Sequence, residues 1–222
     1  GMGRLGVEPE EIEEILTLVE RSVFLSVEGM VSHLACGDER KSVVTSEAIE
    51  IFTRLKLGFG KKIDQFHLAN SGGTLLHEKS HFDFVRAGIS LYGYYPDGSM
   101  HYSYPENERL VPVMRFVSEV IQIKKIKAGK GISYGHTYIT EKEIVVGVLP
   151  VGYEDGLPRS HSNRGEVLVN GIKVPIIGRV CMNLTMIDVS GIDNVKVGDE
   201  VVLIGHMGDM EITADQFGQY GN

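Results

Sequence analysis

Cysteines, basic residues and long apolar runs are scarce in this sequence. Its 222 residues include two cysteines, Cys36 and Cys181, which excludes a disulfide framework or a cysteine-rich metal cluster and favours a reducing compartment. Lysines and arginines number 22 against 30 acidic residues, a net charge of −8. Nucleic acid is therefore not expected as a partner, because phosphate binding needs a basic surface. No apolar run reaches the roughly 18 residues of a membrane span, so none is expected in this segment.

The remaining composition is that of an ordinary globular protein, with 42% hydrophobic and 23% charged residues. A chain of this length can form one large domain or two smaller ones. The first residues, GMGRLGVEPEE, become acidic at once and do not form the apolar segment of a signal peptide. We therefore expect a cytoplasmic protein.

The first half of the chain alternates helical and strand patterns. A helix begins at Glu8-Pro9, a strand covers 24–33, a helix covers 43–60, a second strand covers 64–71, and a third apolar unit covers 82–93. Strands separated by helices indicate parallel βα units. Three such units do not complete a barrel of eight.

The second half consists of short β-rich runs broken by glycine, asparagine or aspartate. This pattern predicts an all-β domain of antiparallel strands. We place the boundary near 112, which gives domains of 1–112 and 113–222. The last residues begin as a helix that Thr213 could cap, and we expect the β domain to be incomplete at this end.

Polar residues follow the two predicted strands of the first half, namely His33 after one strand and Asn70 and Ser71 after the other. In parallel βα architectures the carboxyl ends of the strands gather the ligand site. A single histidine at such a place could simply be a hydrogen-bonded structural residue. Three polar residues in equivalent positions favour a binding site.

Arg86 lies between Val85 and Ala87 in a run that should be buried. A buried guanidinium needs an acceptor, which leaves an internal ion pair or a ligand as alternatives. The backbone N–H groups of Gly88 and Ile89 follow it, and glycine permits close approach of a phosphate. The run is not a Walker or Rossmann fingerprint, so this signal alone is weak.

Three loops of the second half contain residues that could carry chemistry: GISYGHTY (131–138), PVGYEDGLPRSHSN (150–163) and GRVCMNL (178–184). Composition alone predicts turns and core packing for the last two. It leaves open whether Tyr134 is an ordinary strand residue or a proton carrier.

Seven motifs, taken together, are specific: GMGRLG, MVSHLA, ANSGG, VRAGISLYG, ISYGHTY, VGYEDGLPR and GRVCMN. In this order and at these intervals they resemble the alanine racemase family, enzymes that use pyridoxal 5′-phosphate (PLP). The resemblance covers the chain from end to end. It implies part of a (β/α)8 TIM-type barrel, here its second half over 1–112, followed by a mainly antiparallel β domain, in a homodimer with shared active sites.

The resemblance implies a proton relay. Tyr134 matches the tyrosine that reaches into the barrel of the other subunit and exchanges the α-proton on one face of the substrate. A tyrosine has a reference pKa of about 10, so it needs help to act as a base near neutral pH. His33 matches the histidine that hydrogen-bonds this tyrosine, and Arg4 belongs to the same network.

The resemblance also implies a cofactor and a substrate site. Arg86 matches the arginine that points at the pyridine nitrogen of PLP and, being permanently cationic, keeps that nitrogen unprotonated. The substrate would be alanine, and the product would supply D-alanine for peptidoglycan. The matching phosphate-binding residues are Asn70, Ser71, Gly88 and Ile89, the substrate-binding residues are Tyr153, Met182 and Asn183, and the entrance residues include Arg159 and Arg179.

Two departures from the family pattern stand out. The lysine that attaches PLP and serves as the second base lies in a motif like KANAYGHG, and these residues contain no such motif. We therefore expect the chain to be a piece of a longer product or a truncated reading frame, and we expect the isolated chain to be inactive. Asn183 stands where the family usually has aspartate. Serine could then be a substrate, as in the serine racemases of vancomycin resistance, although neutral drift is the simpler explanation.

Two other functions compete with the racemase. One is a noncatalytic PLP-binding module, which the missing lysine favours and the intact Tyr134, His33 and Arg86 oppose, because a binder needs no proton relay. The other is a decarboxylase of the related family that acts on basic amino acids. That family has its cysteine at a position different from that of Cys181. We rank the racemase first.

Overall fold

The two sequence patterns fold as two separate units, Gly1–Val113 and Met114–Asn222. They are described from a computed structural model that covers residues 1–98 and 109–221. Each unit has its own buried apolar clusters. The assignment of the first unit to the second half of a barrel stays a prediction.

In its described residues, 1–98 and 109–113, the first unit has two parallel strands and three α-helices. The strands pair in register, with Gly29 opposite Gln65 and Val31 opposite His67. The elements are a 3-10 turn at Pro9–Glu11, α1 (Ile12–Glu20), β1 (Gly29–Val31), α2 (Val43–Phe59), β2 (Gln65–His67), α3 (Ser71–Leu76) and 3-10 turns at Glu78–Ser80 and Ile89–Tyr92.

Local sequence explains where the two longer helices begin. The turn before α1 has proline in its first position, and the Glu8 backbone N–H donates to the Glu11 carboxylate at 2.8 Å. Ser42 caps α2 because its hydroxyl accepts the Thr45 N–H at 3.2 Å. Both helices bury one apolar face against a cluster that contains Phe52 and Phe66.

The strands of the first unit are shorter than the sequence predicted. Of the predicted strand 24–33 only Gly29–Val31 is regular, and Phe24 is 92% exposed. The third apolar unit, 82–93, forms no regular strand. Its first residues do run beside β2, but Phe82 has a φ of +50°, which interrupts an extended ladder.

The described part of the second unit, 114–221, has ten strands, one α-helix and 3-10 turns at Tyr134–His136, Tyr153–Asp155 and Arg159–His161. They are β3 (Phe116–Glu119), β4 (Gln122–Ile126), β5 (Gly131–Ile132), β6 (Tyr138–Ile139), β7 (Ile144–Leu149), β8 (Glu166–Val169), β9 (Ile172–Pro175), β10 (Thr185–Asp188), β11 (Glu200–Met207), β12 (Met210–Ile212) and α4 (Ala214–Gln219). Thr213 caps α4 as predicted, since its hydroxyl accepts the Gln216 N–H at 3.1 Å.

The strands of the second unit form three sheets in which the pairings are antiparallel, as the sequence predicted. One sheet has the order β10-β7-β4, a second has β12-β11-β8-β9 with β3 also paired to β11, and β5 and β6 form a small hairpin. Branched apolar residues such as Val167, Val201 and Leu203 fill the core. Among the described residues, no helix combines the length and hydropathy needed to cross a bilayer.

The imidazole ring of one histidine of the second unit is buried without a hydrogen bond. His161 is 1% exposed and packs against the rings of Phe217 and Tyr220, with centroids at 4.3 and 5.9 Å. Neither ring nitrogen has a hydrogen-bond partner within the described part of the chain. Burial lowers the pKa of His161, and the nearby Phe217 backbone offsets part of this effect.

We expect His161 to make stability fall as pH drops below about 6.5. In that range the unfolded chain binds a proton that the folded state takes up only at lower pH, so protons favour unfolding. His161→Phe should flatten this dependence in denaturant unfolding followed by circular dichroism at several pH values. The matched control is His206→Gln, at a histidine whose side chain is 67% exposed. A slope unchanged by His161→Phe would contradict the expectation.

Candidate functional site

Six of the residues singled out in the sequence surround one cavity of the first unit. Its volume is about 440 Å³, within the usual range for small-molecule sites. β1 and β2 are parallel, so their carboxyl ends lie at one edge of the sheet, and this brings His33 and Asn70 together. The lining residues are His33, Asp38, Asn70, Ser71, Gly72, Arg86, Gly88, Ile89, Tyr95 and Pro96.

Arg86 is fixed by neutral acceptors. Its guanidinium donates to the Ser32 carbonyl at 2.7 Å and to the His67 carbonyl at 3.1 Å, and it contacts the His67 Nδ1 at 2.6 Å and the His33 Nδ1 at 3.3 Å. No carboxylate forms an ion pair with it among the described residues, so the internal ion pair is not the explanation of its burial. Burial, followed by the charge of Arg4, lowers the pKa of Arg86, but a guanidinium stays protonated in proteins.

This arrangement keeps both neighbouring histidines neutral. A guanidinium only donates, so the His67 Nδ1 must accept and its proton must be on Nε2. Burial first and then Arg86 lower the pKa of His67, and the Asp83 charge opposes them. The His67 ring also stacks on Phe84 at 4.0 Å between centroids, which fixes its orientation.

His33 faces a donor on each ring nitrogen. Arg86 lies at Nδ1, and the Asn70 amide nitrogen lies 3.3 Å from Nε2. The orientation of that amide is set, since its oxygen accepts the Gly73 N–H at 3.0 Å and its nitrogen donates to the Leu34 carbonyl at 3.1 Å. A protonated imidazole would therefore have no acceptor on either side. In agreement, burial, Arg4 and Arg86, in that order, lower the pKa of His33.

Hydroxyl and backbone donors gather at Ser71. Its Oγ accepts the N–H groups of Gly88 at 2.8 Å and of Ser90 at 3.3 Å, and lies 3.2 Å from the Ser90 hydroxyl. Gly72 follows directly, and a Cβ there would lie 2.3 Å from the carbonyl carbon and oxygen of Gly37. Only glycine permits this approach of α3 to the preceding loop.

Arg4 is not among the residues that line the cavity. It is exposed and acts on the site through its charge, which contributes to the lowered pKa values of His33 and Arg86. Arg4 thus affects His33 through its charge, and no hydrogen bond joins the two side chains in the described part of the chain.

The other predicted site residues lie on the second unit. Tyr134 is 69% exposed, Met182 is 53% exposed and Tyr153 is 46% exposed, and Asn183 is also exposed. The Tyr134 phenol is therefore not packed inside its own unit. Ser133, with a φ of +60°, precedes it and donates its hydroxyl to the Arg179 carbonyl at 2.6 Å.

Hydrogen bonds join the three loops that carry these residues: side-chain bonds attach the loop 131–138 to the other two, and backbone bonds join those two to each other. The Tyr153 N–H donates to the Cys181 carbonyl and the Glu154 N–H to the Met182 carbonyl, both at 3.0 Å. The Arg159 guanidinium carbon lies 5.8 Å from the centre of the Tyr153 ring, a cation–π distance. The loops 131–138, 150–163 and 178–184 thus form one surface, although composition had predicted only turns and packing for two of them.

Sequence reasoning missed His67 and Asp38. His67 is the last residue of β2, and the strand-end argument that found His33 and Asn70 would have found it too. Asp38 follows His33 by five residues and had no separate signal. Within the described ranges, no group of three metal-ligating side chains could hold a metal ion.

Two family models match the chain in succession. Residues 1–96 match "Alanine racemase, N-terminal domain" and residues 113–222 match "Alanine racemase, C-terminal domain". These matches confirm the predicted fold class, part of an α/β barrel followed by an antiparallel β domain. The alanine racemase of Halothermothrix orenii is 42% identical over 96% of this chain, and that of Desulfosudis oleivorans is 39% identical over 97%.

Solved structures agree with the sequence relatives. The alanine racemase of Bacillus anthracis with bound L-Ala-P has a TM-score of 0.89, 35% identity and matches 100% of this chain. That of Bartonella henselae with covalently bound pyridoxal phosphate has a TM-score of 0.78, 29% identity and matches 99%. The chain spans 56% and 58% of the two sequence relatives, and 57% and 58% of the two solved chains. Because both family models and these relatives match it, the chain belongs to the alanine racemase family.

Proposed function

We propose that this chain forms part of a PLP-dependent racemase that interconverts L- and D-alanine by proton transfer on both faces of the α-carbon. The observation that best supports it is the cavity of the first unit, where a fixed guanidinium, a neutral histidine and a set of hydroxyl and N–H donors meet. The enzyme works as a homodimer in the cytoplasm and supplies D-alanine for peptidoglycan.

The donors around the cavity fit PLP. A phosphate group accepts hydrogen bonds from hydroxyl and backbone N–H groups. Ser71, Gly88 and Ser90 bring such groups to one point, where the N–H groups now donate to the Ser71 Oγ and would turn to the phosphate. An unprotonated pyridine nitrogen needs a donor that never loses its proton, and Arg86 is such a donor. Asp38 also lines the cavity, and its carboxylate would repel a phosphate. The phosphate is therefore best accommodated by the donors at Ser71. When bound, PLP supplies an electron sink that acidifies the α-hydrogen of an amino acid.

The residues of this chain would divide the proton handling between them. Tyr134 exchanges the α-proton on one face, and its exposed phenol leaves it available to the site of a second subunit. His33 is kept neutral between Arg86 and Asn70. With Nδ1 accepting from Arg86, its one N–H is on Nε2, and this is the group that would orient the phenol. Met182, Asn183 and Tyr153 surround the substrate from the same loop surface.

The opposite face requires a second base. In the family this is the lysine of a KANAYGHG-like motif, which these residues lack. We therefore propose that the 222-residue chain by itself does not racemise alanine, whereas the protein expressed from its gene with its native flanking sequence does.

The test compares these two proteins in the presence of PLP. Chiral chromatography should detect D-alanine formed from L-alanine by the gene product and none above background from the 222-residue chain. A gene product without racemase activity would refute the function, and a racemising 222-residue chain would refute the proposed need for the lysine.

The same assay addresses the alternative substrate. Asn183 carries a neutral amide that both donates and accepts hydrogen bonds, and it lies exposed beside Met182. If serine is a substrate beside alanine, Asn183→Asp should lower the ratio of serine to alanine turnover. A ratio that this change leaves unaltered would remove the serine proposal and leave the alanine racemase standing.

A further inference from the structure

The segment that carries Arg86 is attached to β2 by a side chain in place of a regular strand ladder. The Asp83 N–H donates to the Phe66 carbonyl at 3.0 Å, and the Phe66 N–H donates to the Asp83 carboxylate at 2.7 Å. In a regular parallel strand a backbone carbonyl would accept that second bond. Three residues later, the Arg86 N–H donates to the Ala69 carbonyl at 3.0 Å.

The Asp83 carboxylate is itself fixed from α2. Its other oxygen accepts a hydrogen bond from the Lys56 ammonium group. Lys56 also lies 5.7 Å from the centre of the Phe66 ring and 5.9 Å from that of Phe82, distances typical of cation–π contacts. Both charged side chains are about one-third exposed, at 37% and 34%, and they bridge a helix, a strand and the following segment.

These contacts set the position of the guanidinium. With Asp83 opposite Phe66, Arg86 comes to the end of β2, where it reaches the carbonyls of Ser32 and His67. A shift of the segment by one residue would turn the Arg86 side chain to the other face. Phe82, with a φ of +50°, begins the segment in a conformation that needs support from its surroundings.

We infer that Asp83, held by Lys56, is a positioning residue for Arg86, because its carboxylate fixes the register of residues 83–86 against β2 and so directs the guanidinium to the cavity. The geometry of this inference is independent of the cofactor. Its catalytic consequence rests on the proposed function, in which Arg86 binds the pyridine nitrogen of PLP.

Hydrogen–deuterium exchange measured by mass spectrometry tests the positioning directly. In the gene product, Asp83→Asn should speed exchange in peptides that contain Phe66 and Arg86 by about tenfold, the effect of losing one charge-assisted hydrogen bond. The matched control is Glu13→Gln, which removes an exposed carboxylate paired with Lys62 at 3.0 Å. Equal exchange in the two variants would overturn the inference.

Two further variants cover the remaining outcomes. Lys56→Met keeps the apolar contacts of the side chain and removes its charge, so it should change exchange in the same direction even if Asp83→Asn fails to fold.

PLP affinity from fluorescence titration should fall in Asp83→Asn and in Arg86→Ala. If neither variant weakens PLP binding, the role proposed for Arg86 fails while the positioning stands. If only Arg86→Ala weakens it, the positioning does not serve the site and the inference is wrong.

Discussion

Replacing Tyr134 by phenylalanine should lower alanine racemisation by the gene product about 10²- to 10⁴-fold, the usual contribution of one general acid–base group. The change removes a single oxygen and leaves the ring. Tyr134 is 69% exposed, so its hydroxyl contributes little to folding and the loss should be confined to catalysis. PLP affinity should stay the same, because the proposed cofactor residues lie in the other unit.

The matched control for this prediction is Tyr138→Phe. Tyr138 belongs to the same loop but packs against the cluster of Ile132 and Ile144, and burial raises the pKa of its phenol. Its hydroxyl has no role in the proposed chemistry, so turnover should change by no more than about twofold. Turnover is measured in both directions, from L- and from D-alanine, to show whether Tyr134→Phe lowers it in each. A Tyr134→Phe enzyme as active as the Tyr138→Phe enzyme would remove Tyr134 from the mechanism.

Sequence reasoning was reliable where a local signal agreed with the final packing. The proline turn before α1, the helical pattern of 43–60 and the glycine-broken runs of the second unit all produced the elements they predicted. It failed for α3, because the paired glycines of ANSGG have low helix propensity. There the Asn70 cap and the Thr74 hydroxyl, which donates to the Asn70 carbonyl at 2.7 Å, override that propensity.

The strands of the first unit show why apolar content alone was insufficient. Residues such as Phe24 have strand propensity, but a strand needs a neighbour to bond with, and only Gly29–Val31 finds one in β2. In the segment after Phe82, a carboxylate takes the place of a backbone acceptor. No hydrophobic periodicity encodes such a replacement, so the sequence identified an apolar segment here but not the side-chain bridge that attaches it to β2.

The candidate site could be found in part from general rules. The strand-end rule identified His33, Asn70 and Ser71, and the cost of burying a charge identified Arg86. The protonation of the site was beyond sequence reasoning. It depends on which ring nitrogen faces which donor, and only the coordinates show Arg86 and Asn70 on opposite sides of His33.

The second large effect is expected from Gly72→Ala. A Cβ at Gly72 would lie 2.3 Å from the carbonyl carbon and oxygen of Gly37 and 2.7 Å from the Asp38 nitrogen. These are backbone atoms, which cannot move aside as a flexible side chain can, so either α3 or the loop must shift. Overpacking of this kind costs about 1–3 kcal/mol and occasionally more. A shift of α3 would also displace Ser71 from the N–H of Gly88, so PLP affinity should fall at least about tenfold, as for one lost charge-assisted bond.

The control uses a glycine with free space around it. A Cβ at Gly58, in the last turn of α2, would meet no atom within 4 Å, and alanine in a helix is favoured over glycine by about 0.5–1 kcal/mol. Gly58→Ala should therefore stabilise the protein slightly in denaturant unfolding and leave PLP binding as it is. If Gly72→Ala behaves like Gly58→Ala in both measurements, the close approach of α3 to residues 37–38 does not hold the cavity together. In that case the donors at Ser71 would not depend on Gly72.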